Sequence, residues 1–281
     1  MSEETNIDVA ASTTLETRAA RTSTLSEKDL AHLRSAKYLL ENPGFAAKAT
    51  NLLGAPIEKG LKALPDNFQQ GIANATHAAL RRALEIAVST MDNEPGVKAS
   101  NNFHMGTAAV LGAIGGAGGL AALSIELPIS TTVMVRSIID IARSEGENIE
   151  SIETQLACLE VFALGGPSTS DDGAETGYFA VRAALGKVIA DAAAHIAKRG
   201  LSKEAAPSLV RLIVRIGERF SIQVTPKAAA QLVPGIGAVG GAVVNTAFTD
   251  HFQKMARGHF IMRRLISTHG LETVQLAYEE V

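Results

Sequence analysis

Tryptophan is absent from this chain of 281 residues, and only three tyrosines and nine phenylalanines are present. A β-sandwich of this size would draw on aromatic and β-branched residues in short alternating runs. Hydrophobic residues still make up 46% of the sequence, so a sizeable core must be built largely from Ala, Val, Ile and Leu. Because small side chains let helices approach closely, the composition predicts an all-α protein with one multi-helix domain.

Cysteine and an excess of positive charge are also missing. The single Cys158 cannot form an internal disulfide or a thiolate metal site by itself, which favours a reducing compartment. Lys and Arg number 26 against 29 Asp and Glu, which excludes the strongly basic balance typical of nucleic-acid binders. The first five residues are acidic and lack the apolar run of a secretion signal. The sequence predicts a cytoplasmic protein with no nucleic-acid partner.

Helix signals divide the chain into a tail and a domain. Residues 1–24 are rich in Ser, Thr, Glu and Ala and predict a disordered N-terminal tail, followed by a helical domain over residues 25–281. Ser26 followed by Asp29 predicts the start of the first helix, and Asn42-Pro43-Gly44 its end. Pro128 is placed to begin a helix that runs to Ser144. Further helices are predicted over residues 66–90, 148–163, 178–199 and 203–219, with a last helix through residues 248–264 and a short acidic end.

Two segments, residues 105–125 and 228–249, contain no charged side chain and much Gly and Ala. Glycines spaced four apart form a flat groove on a helix, where a second helix can approach closely. Each glycine inside a helix costs up to about 1 kcal/mol relative to Ala, so packing or membrane contact must compensate. The sequence therefore predicts two closely packed Gly/Ala-rich core segments, with packing glycines at Gly112, Gly115, Gly116, Gly119, Gly237 and Gly241.

The length of these segments is close to that needed to cross a bilayer. They are, however, short of the Leu, Ile and Phe that drive insertion, and the second contains Pro234. This favours a buried soluble core over a membrane span, and leaves reversible association with a membrane surface open.

Recognisable cofactor and metal motifs are lacking. The run from Gly235 to Gly240 matches G-x-G-x-x-G, but a helical pattern rather than a strand precedes it, so close helix packing explains it better than a dinucleotide site. His251 and His259 are expected to be solvated or helix-capping. Asp171 and Asp172 in the polar loop are expected to be solvated. The sequence predicts no metal and no cofactor.

Charges beside the two segments form the candidate site. Arg136 and Asp140 are spaced to pair on one helix. Glu126 follows 21 uncharged residues and is expected to meet Arg136 or an arginine of the last helix, because a buried carboxylate without a partner is costly. A structural ion pair and a ligand-binding or catalytic cluster both remain open for these residues. The candidate polar cluster consists of Glu126, Arg136, Asp140, Asn245 and Arg263.

The sequence resembles the EcsC protein family at these places. The similarity lies in the Gly-rich run into Glu126-Leu-Pro128, the Arg136-Ser-Ile-Ile-Asp run, and the helix from Cys158 to Gly166 followed by Tyr178. It continues at Val233-Pro-Gly-Ile-Gly with Asn245, and at Phe260 followed by Arg263. The resemblance implies a bacterial, cytoplasmic or membrane-peripheral protein associated with an ABC-type exporter system, and it supplies no catalytic residues.

Three functions are compatible with the sequence. The favoured one is a non-enzymatic protein whose glycine-rich helices contact the inner-membrane surface, a membrane protein or a second copy of the chain. The alternatives are a hydrolase-like enzyme and a small hydrophobic-ligand binder, both using the polar cluster around Glu126 and Arg136.

Overall fold

The computed structural model describes residues 25–41, 68–88, 119–166, 175–201, 206–231 and 237–281. Within those ranges the backbone forms eight α-helices and a 3-10 turn at Val161–Ala163, and no β-strand, which confirms the all-α prediction. Gly112, Gly115, Gly116 and the predicted tail over residues 1–24 lie outside the described residues. The helices are α1 Glu27–Glu41, α2 Phe68–Val88, α3 Gly119–Ser144, α4 Ile152–Glu160, α5 Glu175–Arg199, α6 Pro207–Gln231, α7 Gly237–His269 and α8 Leu271–Glu280.

Local capping sets two of the helix starts. The hydroxyl oxygen of Ser26 accepts a hydrogen bond from the backbone N–H of Asp29 at 3.1 Å, as the sequence predicts. The hydroxyl of Ser151 does the same for the N–H of Thr154, also at 3.1 Å. Because the first N–H groups of a helix have no partner within the helix, these side chains fix where α1 and α4 begin.

Two prolines lie inside helices rather than at their limits. The sequence predicts that a helix begins at Pro128, whereas α3 begins nine residues earlier, at Gly119. The predicted end of α6 at residue 219 is also wrong, because the helix continues through Pro226 to Gln231. Each proline removes one backbone hydrogen bond. The buried stripe on α6 nevertheless continues across Pro226, so packing offsets that loss; its members there are Phe220, Val224, Lys227 and Ala228.

The chain does not finish in the short acidic end that the sequence predicts. Gly270 has a φ of +85°, a conformation that favours glycine, and it separates α7 from a further helix, α8. Val274, Ala277 and Tyr278 of α8 are buried. Their spacing places three side chains on one side of α8, and this apolar side holds it against the domain.

Four phenylalanines form a cluster in the core. Phe162 after α4, Phe220 on α6, and Phe248 and Phe252 on α7 are all fully buried. Five pairs of these rings have centroids between 5.0 and 5.9 Å apart, within the range of favourable ring contacts. This cluster joins α6 and α7 to the end of α4.

Helices α3 and α7 run side by side in the same direction. Gln253 of α7 donates to Ser137 of α3 at 2.8 Å. Just after the end of α3, Glu145 accepts from Arg257 at 3.0 Å and Glu147 from Arg263 at 2.7 Å. Residues later in and just after α3 contact residues later in α7, and the two partners are always 112 or 116 residues apart in sequence. This is the pattern of two helices that run in the same direction. The N-termini of the two helices, at Gly119 and Gly237, therefore lie at the same end of the pair.

Candidate functional site

A buried ion pair joins the beginning of α3 to the end of α6. The ammonium Nζ of Lys227 donates to Oε1 of Glu126 at 2.8 Å and approaches the hydroxyl of Ser130 at 3.3 Å. The same Nζ lies 4.8 Å from the centroid of the Phe248 ring on α7. Lys227 is fully buried, and this burial lowers its pKa, while Glu126 acts in the opposite direction. This pair ties three helices together at the end where α3 and α7 begin.

The partner of Glu126 differs from the one that the sequence suggests. Arg136 lies ten residues further along α3, which corresponds to about 15 Å of helix, and its side chain is exposed. The arginines of α7 are also engaged elsewhere, since Arg257 pairs with Glu145 and Arg263 with Glu147. The expectation that Glu126 meets one of these arginines is therefore wrong.

The remaining members of the predicted cluster are spread along the α3–α7 pair. Asp140 forms its ion pair with Arg143 at 3.0 Å, and not with Arg136, which lies on the exposed side of the helix. Asn245 is fully buried near the beginning of α7. Arg263 lies 18 residues later, which is about 27 Å along α7. The structure brings Asn245 to the same end as Glu126, and places Asp140 and Arg263 towards the other.

A second polar cluster, which the sequence does not predict, lies among α4, α5 and α7. It consists of Glu160, Tyr178, Arg182 and His259, and we call it the Glu160 cluster. The hydroxyl of Tyr178 and Nδ1 of His259 share a hydrogen bond at 3.1 Å, and Nε2 of His259 lies 3.7 Å from Oε2 of Glu160. Nε of Arg182 lies 3.9 Å from Oε1 of Glu160. The cluster thus places an acid, a phenol, an imidazole and a guanidinium around one buried point.

Burial controls the protonation of this cluster. Glu160 is only 4% exposed, and desolvation raises the pKa of its carboxyl to about 6, although Arg182 and Arg263 oppose the shift. Desolvation lowers the pKa of His259 well below its ordinary value of 6.5, and the same two arginines add to this effect. Burial also raises the pKa of Tyr178. At neutral pH the imidazole and the phenol are therefore both uncharged.

Several polar atoms of the Glu160 cluster have no hydrogen-bond partner among the described residues. They are Oε1 of Glu160, Nη1 of Arg182 and Nε2 of His259, all of them buried. Buried polar atoms are normally hydrogen-bonded, because leaving one unpaired forfeits its hydration. Three such atoms around one point indicate a place where a further polar group would be stabilised.

A neighbouring ion pair supports the cluster from the segment between α3 and α4. Arg263 donates to both carboxylate oxygens of Glu147, at 2.7 and 3.2 Å, and the hydroxyl of Thr154 donates to Glu147 at 2.8 Å. Two parallel donations from one guanidinium fix its orientation. The structure therefore gives Arg263 a role in holding α7 next to α4, where it adds positive charge close to Glu160.

The expectation of solvated or helix-capping histidines is wrong for His251 and His259, because both are fully buried in α7. Their spacing of eight residues did not indicate this burial, because residues of other helices cover both side chains. The resemblance noted for the sequence did include Tyr178 and Arg263, at and beside this cluster. It contained no indication that Glu160 and His259 meet there.

Metal-binding clusters and membrane-spanning helices are two further features for which the described part of the chain has no candidate. No group of three or more His, Cys, Asp or Glu side chains is placed to hold a metal ion within the described ranges. Among the helices described, none combines the length and apolar character needed to cross a membrane.

Comparison with known proteins gives one match. Residues 27–265 match the EcsC protein family, from the first residue of α1 to near the end of α7. No curated protein and no solved structure matches the chain. Since the match extends over most of the sequence and includes both polar clusters, the chain belongs to the EcsC protein family.

Proposed function

We propose that this protein is a non-enzymatic, peripheral membrane protein that attaches at the end of the molecule where α3 and α7 begin. The observation that carries the proposal is a set of large apolar side chains exposed at that end. Ile125 is 68% exposed, Ile129 44% and Val243 41%. Ile125 and Ile129 are one helical turn apart on α3, so they point to the same side. Val243 reaches the same end because α7 runs parallel to α3.

The surroundings of these side chains fit contact with an apolar surface. The stretches that carry Ile125 and Val243 are the two segments without charged residues. The one ion pair described at this end, between Lys227 and Glu126, is buried. An exposed apolar patch of this kind is typical of protein or membrane contact sites. We propose the cytoplasmic face of the inner membrane as its location, next to the exporter system that the family resemblance implies.

The hydrolase-like alternative around Glu126 and Arg136 has weaker support. The carboxylate of Glu126 already contacts an ammonium group, and Arg136 is exposed on the same helix about 15 Å away. A catalytic site needs its groups to converge on one reacting atom.

Flotation of the full chain with liposomes tests the proposal. The liposomes contain phosphatidylcholine alone or with one third phosphatidylglycerol. The wild type is compared with the triple variant Ile125→Ser, Ile129→Ser, Val243→Ser. Since burial of one such side chain contributes about 1.5–3 kcal/mol, loss of all three is expected to lower the floated fraction at least tenfold.

A matched control removes exposed apolar side chains from elsewhere. Tyr38 on α1 and Val210 near the start of α6 are both exposed. The double variant Tyr38→Ser, Val210→Ser is expected to float like the wild type. The proposal fails if the wild type stays in the buffer with both lipid mixtures, or if the triple variant floats as well as the control. Size-exclusion chromatography of the same samples shows whether a second copy of the chain covers the patch instead.

A further inference from the structure

A groove lies beside the Glu160 cluster, and Arg182 is one of the residues that line it. It has a volume of about 560 Å3 and is bounded by α5, α7 and α8. This volume is in the range of small-molecule sites, which hold roughly 300–1,000 Å3. The apolar lining residues that matter here are Phe179 and Ala183 on α5, Ile266 on α7, and Leu271 and Tyr278 on α8.

The groove differs from an ordinary apolar crevice by the side chain of Arg182. Arg182 is the one cation among the described residues that line the groove, and the exposed Glu279 of α8 is the one acid. Its side chain is 26% exposed, whereas Nη1 is buried and has no hydrogen-bond partner among the described residues. Arg182 thus connects an open apolar volume to the buried Glu160 cluster.

The carboxylate of Glu160 does not use the donors of Arg182 fully. Their closest atoms are 3.9 Å apart, which is too long for a hydrogen bond. A guanidinium has five N–H donors in a planar arrangement that suits the two oxygens of a carboxylate or phosphate. An acidic group bound in the groove would provide a hydrogen-bond acceptor for Nη1 of Arg182, which has none among the described residues.

We propose that this groove binds a small amphiphile whose acidic head group, a carboxylate or phosphate, contacts Arg182 while its apolar chain packs along Phe179, Ile266 and Leu271. The apolar wall of the groove matches the apolar chain of such a ligand, and the partly buried Arg182 matches its acidic head group. A neutral chain would leave Nη1 of Arg182 without an acceptor, whereas an acidic head group would supply one. This site is separate from the proposed membrane contact, because it involves none of the residues at the start of α3 and α7.

Isothermal titration calorimetry with the full chain tests the site, using dodecanoate below its critical micelle concentration. We expect binding of one dodecanoate per chain, and at least tenfold weaker binding of dodecyltrimethylammonium, which has the same chain and the opposite charge. Dodecyl phosphate is titrated in parallel, and the tighter of the two acids identifies the preferred head group.

Filling the groove provides a variant that leaves the charged cluster intact. Ala183 is exposed and lines the groove, whereas its neighbour Ala184 is exposed and does not line it. Ala183→Leu is expected to weaken dodecanoate binding at least tenfold, and Ala184→Leu to leave it unchanged. Both are surface substitutions on the same helix, so a difference between them reports on the groove.

Removing the charge needs two substitutions, because Arg182→Gln alone would leave Glu160 without its nearest cation. The double variant Arg182→Gln, Glu160→Gln keeps the cluster neutral. It should lose the preference for dodecanoate over dodecyltrimethylammonium. The proposal is overturned if the wild type binds neither acid, if it binds both charge types equally, or if Ala183→Leu and Ala184→Leu behave alike. None of these outcomes depends on the liposome experiment.

Discussion

Glu160 and Lys227 show how the fold treats a charged side chain that it removes from water. Lys227 has Glu126 at 2.8 Å, which offsets part of the cost of its burial. Glu160 has only distant cations, with the nearest atom of Arg182 at 3.9 Å. Desolvation therefore outweighs attraction at Glu160, and its pKa rises to about 6. Desolvation is also the largest effect on Lys227, and it lowers the pKa of that ammonium group although Glu126 opposes the shift.

Glu160 should give the protein a measurable pH dependence of stability. Its folded pKa of about 6 lies above the ordinary value of 4.5, so between these values the folded chain keeps a proton that the unfolded chain has released. The contribution of Glu160 is therefore fully present below pH 4.5 and is lost as the pH rises through 6. The shift of about 1.5 pH units corresponds to about 2 kcal/mol.

Glu160→Gln removes this titration while keeping the shape of the side chain. The free energy of unfolding of Glu160→Gln minus that of the wild type is expected to rise by about 1.5 kcal/mol between pH 4.5 and pH 7. Urea unfolding followed by circular dichroism at a series of pH values measures it. His259 is present in both proteins, so its own titration largely cancels. Glu150→Gln, at an exposed position before α4, serves as the control. If the difference in free energy of unfolding from the wild type does not change with pH for either variant, Glu160 is not the titrating group.

At the scale of whole helices, close approach depends on a glycine that the sequence patterns did not single out. A Cβ atom added at Gly258 of α7 would lie 2.7 Å from Cγ of Leu40 and 3.2 Å from the backbone oxygen of Ala36, both on α1. Gly186 on α5 is also inside a helix, yet nothing would lie within 4 Å of its added Cβ. Only the first of these two glycines is needed for helix packing.

These two glycines give opposite predictions for the same substitution. Gly186→Ala is expected to stabilise the protein by about 0.5–1 kcal/mol, because alanine favours the helix and meets no obstacle. Gly258→Ala gains the same propensity but forces α1 away from α7, and is expected to destabilise the protein by about 1–3 kcal/mol. Urea unfolding of both variants measures the difference.

A double-mutant cycle identifies the cause at Gly258. Leu40→Ala removes the nearest obstacle, so Gly258→Ala should cost less in the Leu40→Ala background than in the wild type. Equal costs in both backgrounds would show that the contact with α1 is not responsible.

At the scale of the whole molecule, the parallel arrangement of α3 and α7 decides what lies at each end. It places the exposed Ile125, Ile129 and Val243 towards the end where both helices begin, and the buried pair of Lys227 and Glu126 lies towards the same end. Residues of the Glu160 cluster come from α4, α5 and the later part of α7. The proposed membrane contact and the proposed ligand groove therefore lie in different regions of the molecule.

Distances between spin labels test this arrangement. Labels are attached to cysteines introduced at exposed positions 125 and 243, or at 125 and 267. Positions 243 and 267 are 24 residues apart on α7, about 36 Å along the helix. A parallel pair predicts that the distance from 125 to 267 exceeds that from 125 to 243 by about 20–30 Å.

The native Cys158 is buried and its pKa is raised by burial, so it should resist labelling. A longer distance from 125 to 243 than from 125 to 267 would mean that the two helices run in opposite directions.

The sequence by itself determined the features that depend on neighbouring residues. The lack of aromatic residues and strand alternation predicted an all-α fold, and Ser26 with Asp29 predicted the start of α1. Both hold because capping and helical periodicity act over a few residues. The start of α3 and the end of α6 were missed, because packing with other helices extends both helices beyond the limits that local signals indicate.

Only the tertiary structure decided which charges meet. Glu126 was singled out from the sequence, but its partner Lys227 is 101 residues away and no local pattern connects the two. Tyr178 and His259 are 81 residues apart, and no spacing rule connects them. Contacts of this kind follow from the direction and register of packed helices, which are set by burial of the whole core rather than by any short stretch of sequence.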